Sequence, residues 1–170
     1  SNIFNLKWKS HRKKNSFAPK ELERGKWSGA TKLVRDIGET VTAVAVSADD
    51  RFYAAGGMNK QVVVYSTDNG AIAATMKLEG SNASVNAVAF GQRGQDTRVF
   101  AGTMDGFVHA YHVKEQLKMG SLKFGEKGEA VHSLAVSTEG SKLVVGGNTK
   151  VVCVYALGRS IDEDGNESVT

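Results

Sequence analysis

The residues that could hold a metal ion are few and scattered. The chain has four histidines (His11, His109, His112 and His132) and one cysteine, Cys153. A structural zinc site needs about four ligands, usually in pairs with short spacing. The sequence offers only a loose pair, His109 and Cys153, which occupy equivalent positions in two successive units of a repeated strand pattern. It therefore predicts no metal site, and a single cysteine excludes an internal disulfide.

The motifs that carry catalysis or hold a cofactor are also missing. The sequence contains no G-x-x-x-x-G-K-[ST] phosphate loop, no G-x-G-x-x-G opening a helix and no G-x-S-x-G nucleophile turn. The adjacent carboxylates Asp49 and Asp50 fall in a turn sequence, SADD, where acidic side chains bond the local backbone. We expect no catalytic residue and no cofactor, and we predict that the chain is not an enzyme.

The positive charge is concentrated at the start of the chain. Residues 1–28 carry eight Lys or Arg and two Glu, together with four spaced aromatic residues, and we treat them as a basic arm. Its densest part consists of Lys7, Trp8, Lys9, Arg12, Lys13 and Lys14. Such a segment can bind RNA by stacking rings on bases and pairing cations with phosphates. Alternatively, the arm packs its aromatic residues on the body of the protein, and this second interpretation is the favoured one.

Short apolar runs separated by turns dominate the rest of the chain. The stretch Val41–Thr67 reads VTAVAVSADDRFYAAGGMNKQVVVYST, with three valine- or alanine-rich runs typical of β-strands. TDNG follows as a strong turn, and then AIAATMKL as a fourth strand. The pattern returns as SVNAVAF, TRVFAGT, FVHAYHV and MGSLKF, and again as AVHSLAVS, KLVVGG and VVCVYAL.

These units repeat with a nearly constant period. The first-strand valines Val41, Val85 and Val131 are 44 and 46 residues apart, and the third-strand tyrosines Tyr65, Tyr111 and Tyr155 are 46 and 44 apart. A period of this size with four short strands per unit is the pattern of a β-propeller blade. The sequence therefore predicts an all-β fold of about three blades, each of four antiparallel strands.

The stretch from Val41 to Gly70 resembles a WD40 repeat, and the resemblance covers Lys32 to about Leu157. The apolar first strand, the Ser-acidic turn, the small-residue second strand and the late third-strand aromatic residue all match. The repeats are degenerate, since Tyr65, Tyr111 and Tyr155 stand where the family has tryptophan, and no Gly-His pair opens a unit. In the second turn the usual acidic residue survives only as Asp105. We therefore expect these blades to depend mainly on apolar packing.

The unit count predicts an incomplete propeller. We place the basic arm at 1–28, the three blades at 29–157 and an acidic tail, expected to be disordered, at 158–170. The blades run over about 41–80, 84–125 and 130–157, with 32–37 as the outer strand of a preceding blade. Closed propellers typically need four or more blades, so two apolar faces should stay open. The chain is then part of a longer propeller or is completed by another protein, or it is completed by a copy of itself, which is the less favoured choice.

The resemblance also implies a surface for partners. In WD40 propellers the turns between the second and third strands, together with the loops between blades, form one end of the scaffold. Here the turns supply Met58, Asn59, Lys60, Met104, Asp105, Asn148, Thr149 and Lys150, and the loops supply Glu39, Ser81, Asn82, Glu126 and Lys127. Met58 and Met104 form either an adaptable apolar contact for a partner or a simple cover for the blade ends. Both interpretations stay open.

The best functional hypothesis is a non-catalytic protein–protein interaction or scaffold module within a larger protein or complex. One alternative is an RNA- or ribonucleoprotein-associated factor held by the basic arm. Another is a sensor or regulatory propeller fragment of a multidomain enzyme. The sequence has no apolar run of about 18 residues and no apolar signal core at its start. We expect no membrane partner, and a location in the cytoplasm, with the nucleus as the second choice.

Overall fold

The computed structural model describes residues 34–78, 81–125, 129–158, 160–161 and 167–168. The chain divides into two compact units, Ser1–Arg35 and Asp36–Thr170. The basic arm lies outside the described residues, and all the described strands belong to the second unit. Its described residues form strands and no helix, so they include no helix that could cross a membrane.

The first blade is a four-stranded antiparallel sheet in the order β1-β2-β3-β4. Its strands are β1 (Val41–Val46), β2 (Phe52–Gly57), β3 (Gln61–Ser66) and β4 (Ile72–Lys77). The turn between β3 and β4 uses Asn69 and Gly70. Gly70 has a φ of 64°, which glycine adopts without a Cβ penalty, and Asn69 Oδ1 accepts the Ala71 N–H at 2.9 Å.

The second blade repeats this order with longer inner strands. It contains β5 (Val85–Arg93), β6 (Asp96–Thr103), β7 (Phe107–His112) and β8 (Leu117–Lys123). The predicted strands SVNAVAF and TRVFAGT leave residues 91–96 between them, but the ladder continues to a pair between Arg93 and Asp96. Gly94, with a φ of 60°, allows the tighter connection.

The third blade has three strands, in the order β11-β10-β9. They are β9 (Val131–Val136), β10 (Lys142–Gly147) and β11 (Cys153–Ala156). The fold class is thus confirmed as all-β, with three antiparallel sheets of four, four and three strands.

Two segments that flank the three blades differ from the prediction. Val34–Ile37, the described part of the predicted outer strand 32–37, form no strand, and the predicted disordered tail contains two paired strands, β12 (Ser160–Ile161) and β13 (Glu167–Ser168).

The inner hairpin of every blade carries the same irregularity. The pairing skips one residue between β1 and β2, between β5 and β6, and between β9 and β10. The skipped residues are Thr42, Asn86 and His132, the polar residues that follow each first valine. Because an extra residue leaves the ladder, a polar side chain is tolerated there. In blade one, the Thr42 hydroxyl donates a hydrogen bond to the Val85 backbone carbonyl of the next blade.

Two apolar clusters hold the three blades together. The first lies between blades one and two and includes Val62, Val64, Met76, Val99 and Tyr111. The second lies between blades two and three and includes Phe100, Val108, Leu143, Val145 and Leu157. Packing between the sheets follows from strands with apolar residues on both faces, as the sequence predicts for blades that depend on apolar contacts.

The third-strand tyrosines add a polar link across each interface. The Tyr111 hydroxyl donates to the Lys77 carbonyl at the end of β4, at 3.0 Å. The Tyr155 hydroxyl makes the equivalent bond to the Lys123 carbonyl at the end of β8, at 3.3 Å. The third-strand tyrosines of blades two and three therefore tie their blades to the outer strand of the blade before.

Candidate interaction surface

The turns between second and third strands lie beside the loops that precede each blade. In all three blades a turn N–H donates to a carbonyl in the preceding loop. These bonds join Met58 N to Thr40 O (3.0 Å), Met104 N to Ser84 O (3.1 Å) and Asn148 N to Ala130 O (3.3 Å). We call the surface formed by residues 58–60, 104–105 and 148–150 with Glu39, Ser81 and Asn82 the turn face. In each blade the structure thus places the turn beside the loop that precedes it; Glu126 and Lys127 lie outside the described residues.

Two methionines project from equivalent positions of the turn face. Met58 is 56% exposed and Met104 is 53% exposed. The Met104 sulfur accepts a hydrogen bond from Asn86 Nδ2 at 3.3 Å, and neither methionine belongs to the two apolar clusters. Flexible, polarizable side chains in this setting can adapt to an apolar partner surface.

Hydrogen bonds between turns and loops hold the polar part of the turn face. Lys60 Nζ donates to Asn82 Oδ1 at 2.6 Å. Asp105 accepts from the Ser81 hydroxyl at 2.8 Å and from the Thr103 hydroxyl. The acidic residue that survives from the family pattern therefore fastens the second blade's turn to the preceding loop. Because these contacts already order the side chains, less conformational entropy would be lost when a partner binds.

The third blade contributes a more polar turn. Asn148 Oδ1 accepts the Ala130 N–H at 2.6 Å, and the Thr149 hydroxyl donates to the Val151 carbonyl at 2.9 Å. Lys150 is exposed. With Lys60, Lys150, Glu39 and Asp105 the turn face mixes both signs of charge, so it lacks the single-sign character that phosphate binding favours.

The loose metal pair from the sequence is not brought together. Val145 pairs with Cys153, and both contribute to the second cluster, so Cys153 faces blade two. Ala101, which pairs with His109, belongs to the first cluster, so His109 faces blade one. The two residues therefore lie on opposite sides of the second blade. Equivalent positions in successive blades point the same way around the propeller and do not converge.

His109 is a buried histidine with a structural partner. It is 3% exposed, and its Nδ1 lies 2.8 Å from the Ser121 hydroxyl. Burial lowers the pKa of His109 to about 4, with a further lowering from the Lys118 charge and an opposing effect of Asp105. Because burial disfavours the charged imidazolium, the side chain is neutral near pH 7.

The sequence did not predict a cluster of three titratable side chains in blade two. Asp96, His112 and Glu115 place ligand atoms within 4.8 Å of one another, at the edge of a cavity of about 450 Å³ that Arg51 and Phe52 also line. Asp96 already bonds His112 Nδ1 at 2.7 Å and Arg98 Nε at 2.6 Å. The guanidinium balances the carboxylate, so the group is an ion-pair network of the sheet. The side chains of this network meet because the β6–β7 register sets Arg98 opposite His112. That register cannot be read from the sequence alone.

The acidic side chain in the Ser-acidic turn of blade one stabilises the turn by local hydrogen bonds, as the sequence predicts. Asp49 accepts hydrogen bonds from the Ser47 hydroxyl at 2.7 Å and from Arg51 Nε at 2.5 Å. Desolvation raises the pKa of Asp49, but the bonds from Ser47 and Arg51 and the Arg51 charge outweigh it and lower the pKa to about 2. Gln92 Nε2 also bonds Asp49 at 3.2 Å, which links this turn to blade two.

Comparison with known families agrees with the blade geometry. The family described as WD domain, G-beta repeat, matches residues 31–66, which contain β1, β2 and β3. The chain carries a WD40 repeat. The match ends at Ser66, directly after Tyr65, and the second and third blades repeat the same strands in degenerate form. A comparison with curated proteins gave no match. WD40 repeats generally serve as non-catalytic protein–protein interaction modules.

Proposed function

We propose that this chain is a non-catalytic scaffold module that binds another protein through the turn face. The observation that carries the proposal is the pair of exposed methionines, Met58 and Met104, on turns tied to the neighbouring loops. Interface centres are enriched in methionine and aromatic residues and surrounded by polar groups. Lys60, Asp105 and Lys150 supply such a polar rim, so the expected partner presents an apolar segment flanked by charges of both signs. The module then acts as a subunit of a cytoplasmic complex.

Site-directed photocrosslinking in cells that express the chain tests this proposal. A photoreactive residue at position 58 or 104 should trap a discrete protein partner. The matched control is position 117, because Leu117 is also an exposed apolar residue but lies on the outer strand β8. When the photoreactive residue is placed at position 148 instead, the double variant Met58→Ser, Met104→Ser should abolish the crosslink. Equal crosslinking from position 117, or none from the turn face, would contradict the proposal.

A second function rests on the basic arm. We propose, as the alternative, that residues 1–28 hold the chain on RNA or a ribonucleoprotein particle. The support is the concentration of Lys and Arg with spaced aromatic residues in a segment that lies outside the described residues. Binding to a single-stranded RNA should weaken steeply with salt and disappear when residues 1–28 are deleted. RNA binding that is independent of salt, or that survives the deletion, would refute this alternative.

A further inference from the structure

Three side chains of the kind that bind metal ions converge at one end of blade two. Asp96 is the first residue of β6, and His112 is the last residue of β7. Glu115 lies in the turn that follows β7, three residues after His112. One ligand atom of each side chain lies within 4.8 Å of the other two, and the described residues contain no second group of this kind. The β6–β7 ladder and the turn after it therefore assemble a set of one nitrogen and two oxygen ligands.

Both carboxylates of this set approach the same ring nitrogen. Asp96 Oδ1 lies 2.7 Å from His112 Nδ1, which is a hydrogen bond, whereas Glu115 Oε2 lies 3.6 Å from it, beyond hydrogen-bond distance. A ring nitrogen carries at most one proton, so it can donate well to only one of the two. The ion pair with Arg98 balances Asp96 but does not explain why Glu115 lies here. Carboxylates this close repel each other, and a cation bound by both of them and by the nitrogen removes that repulsion.

The spacing of the three atoms suits a small divalent cation. Zinc binds imidazole nitrogen and carboxylate oxygen at about 2.0–2.2 Å, so two ligands of a tetrahedral zinc ion lie roughly 3.3 Å apart. The distances of 2.7 and 3.6 Å from His112 Nδ1 lie on either side of this value. The Glu115 side chain is 54% exposed, so it can rotate by the small amount that coordination requires.

An outer hydrogen bond fixes one of the ligands. Asp96 Oδ2 accepts a hydrogen bond from Arg98 Nε at 2.6 Å, and the Arg98 side chain is only 6% exposed. Carboxylates that bind metal ions are usually held by such a second contact, which orients the oxygen that faces the metal. Here the contact uses Oδ2, and Oδ1 is the oxygen that lies beside His112.

The group lines a cavity of about 450 Å³ at the boundary between blades one and two. A water molecule takes up about 30 Å³ in the liquid, so the cavity has room for an ion and for the water that completes its coordination. Two further cations line the cavity. Arg51 is ion-paired within its own turn, and Lys114 is exposed to solvent, where water and salt screen its charge.

We propose that Asp96, His112 and Glu115 bind one zinc ion, with water as the fourth ligand. Imidazole together with carboxylate favours zinc over magnesium and calcium, which take six or more ligands, mainly oxygen. The ion fastens the β7–β8 turn to the start of β6. This end of the two strands is opposite the turn face, which follows Thr103 at the end of β6. The zinc site therefore does not depend on the proposed protein partner.

Isothermal titration calorimetry of the full chain with zinc chloride tests the site. The wild type should bind one zinc ion with an affinity that Glu115→Gln and His112→Gln each reduce at least about tenfold. Glu115→Gln changes an exposed side chain, so the variant should fold like the wild type. Glu139→Gln and His132→Gln are the matched controls, because they remove the same two residue types from exposed positions of blade three. Both controls should bind zinc like the wild type.

Thermal unfolding gives a second measurement on the same proteins. Zinc at a hundredfold excess over its dissociation constant should raise the melting temperature of the wild type by about 5 °C or more. The same zinc concentration should raise that of Glu115→Gln less, and magnesium chloride should have no effect. The proposal would be overturned by a wild type without one-to-one zinc binding, by a Glu115→Gln variant with unchanged affinity, or by an equal loss in Glu139→Gln or His132→Gln. Magnesium binding as tight as zinc binding would overturn the choice of metal.

Discussion

Tyr111 joins blades one and two through both its ring and its hydroxyl group. Its ring lies in the first cluster, and its hydroxyl bonds the Lys77 carbonyl at 3.0 Å. A buried phenol normally finds a hydrogen-bond partner. Tyr111 therefore makes the apolar contact and also places its polar atom on the backbone of the neighbouring blade.

Removing that hydroxyl should destabilise the contact between blades one and two. Tyr111→Phe leaves the Lys77 carbonyl without this donor, which should lower the free energy of unfolding by about 1–2 kcal/mol. Denaturant unfolding followed by far-ultraviolet circular dichroism measures the change. Tyr155→Phe is the matched control, because its bond is longer, at 3.3 Å, and its side chain is less buried. A loss for Tyr155→Phe as large as for Tyr111→Phe would contradict this account.

His109 should make the protein acid-sensitive in a defined pH window. Burial lowers its folded pKa to about 4, from an ordinary 6.5. The unfolded chain therefore binds the proton more tightly, and stability is lost as pH falls from about 6.5 toward about 4. His109→Val, which copies Val63 at the same position in blade one, should remove up to roughly 3 kcal/mol of this loss. Unfolding measured at pH 7 and pH 4.5 compares the two proteins.

The matched control for that experiment is His132→Val, which removes an exposed histidine from β9. This variant controls for the loss of a histidine from a strand, because it leaves His109 in place. If His109→Val and the wild type lose the same stability between pH 7 and pH 4.5, then His109 does not cause the acid sensitivity.

At the scale of the strands, the fit between successive blades depends on a valine packed onto a glycine. Gly56 leaves room for Val85, whose methyl carbon would lie 2.6 Å from an added Cβ. Such a distance is well inside ordinary van der Waals contact, so one side chain or the other must be small. The first valine of blade two and the second-strand glycine of blade one are therefore coupled through this packing.

That coupling predicts non-additive substitutions. Gly56→Ala should cost about 1–3 kcal/mol through overpacking, and Val85→Ala should cost a similar amount through lost burial. The double variant should be more stable than the sum of the two losses by about 1 kcal/mol or more, because the smaller side chain at position 85 makes room for the added methyl group at position 56. Gly120→Ala, where a Cβ meets no described atom within 4 Å, should stay within about 0.5 kcal/mol of the wild type. Denaturant unfolding of the four variants measures these differences, and additive losses would refute the proposed contact.

The strands were predictable because period-2 alternation and Gly-rich turns are local signals. The runs beginning at Val41, Val85 and Val131 each became the inner strand of a blade. Register was harder to predict, since the pairing of Arg93 with Asp96 depends on how far a hairpin continues. The Asp96–His112–Glu115 group was not predictable for the same reason, because residues 16 apart meet only through the β6–β7 ladder. The turn face followed from the resemblance, while the hydrogen bonds that hold it required the structure.

At the scale of the whole molecule, the three blades form two buried interfaces that repeat one arrangement. Each interface buries one blade's first valine on the preceding blade's glycine, Val85 on Gly56 and Val131 on Gly102. Each also contains a hydrogen bond from a third-strand tyrosine hydroxyl to the outer strand of the blade before it. Because blade two takes part in both interfaces, its packing couples the stability of blade one to that of blade three.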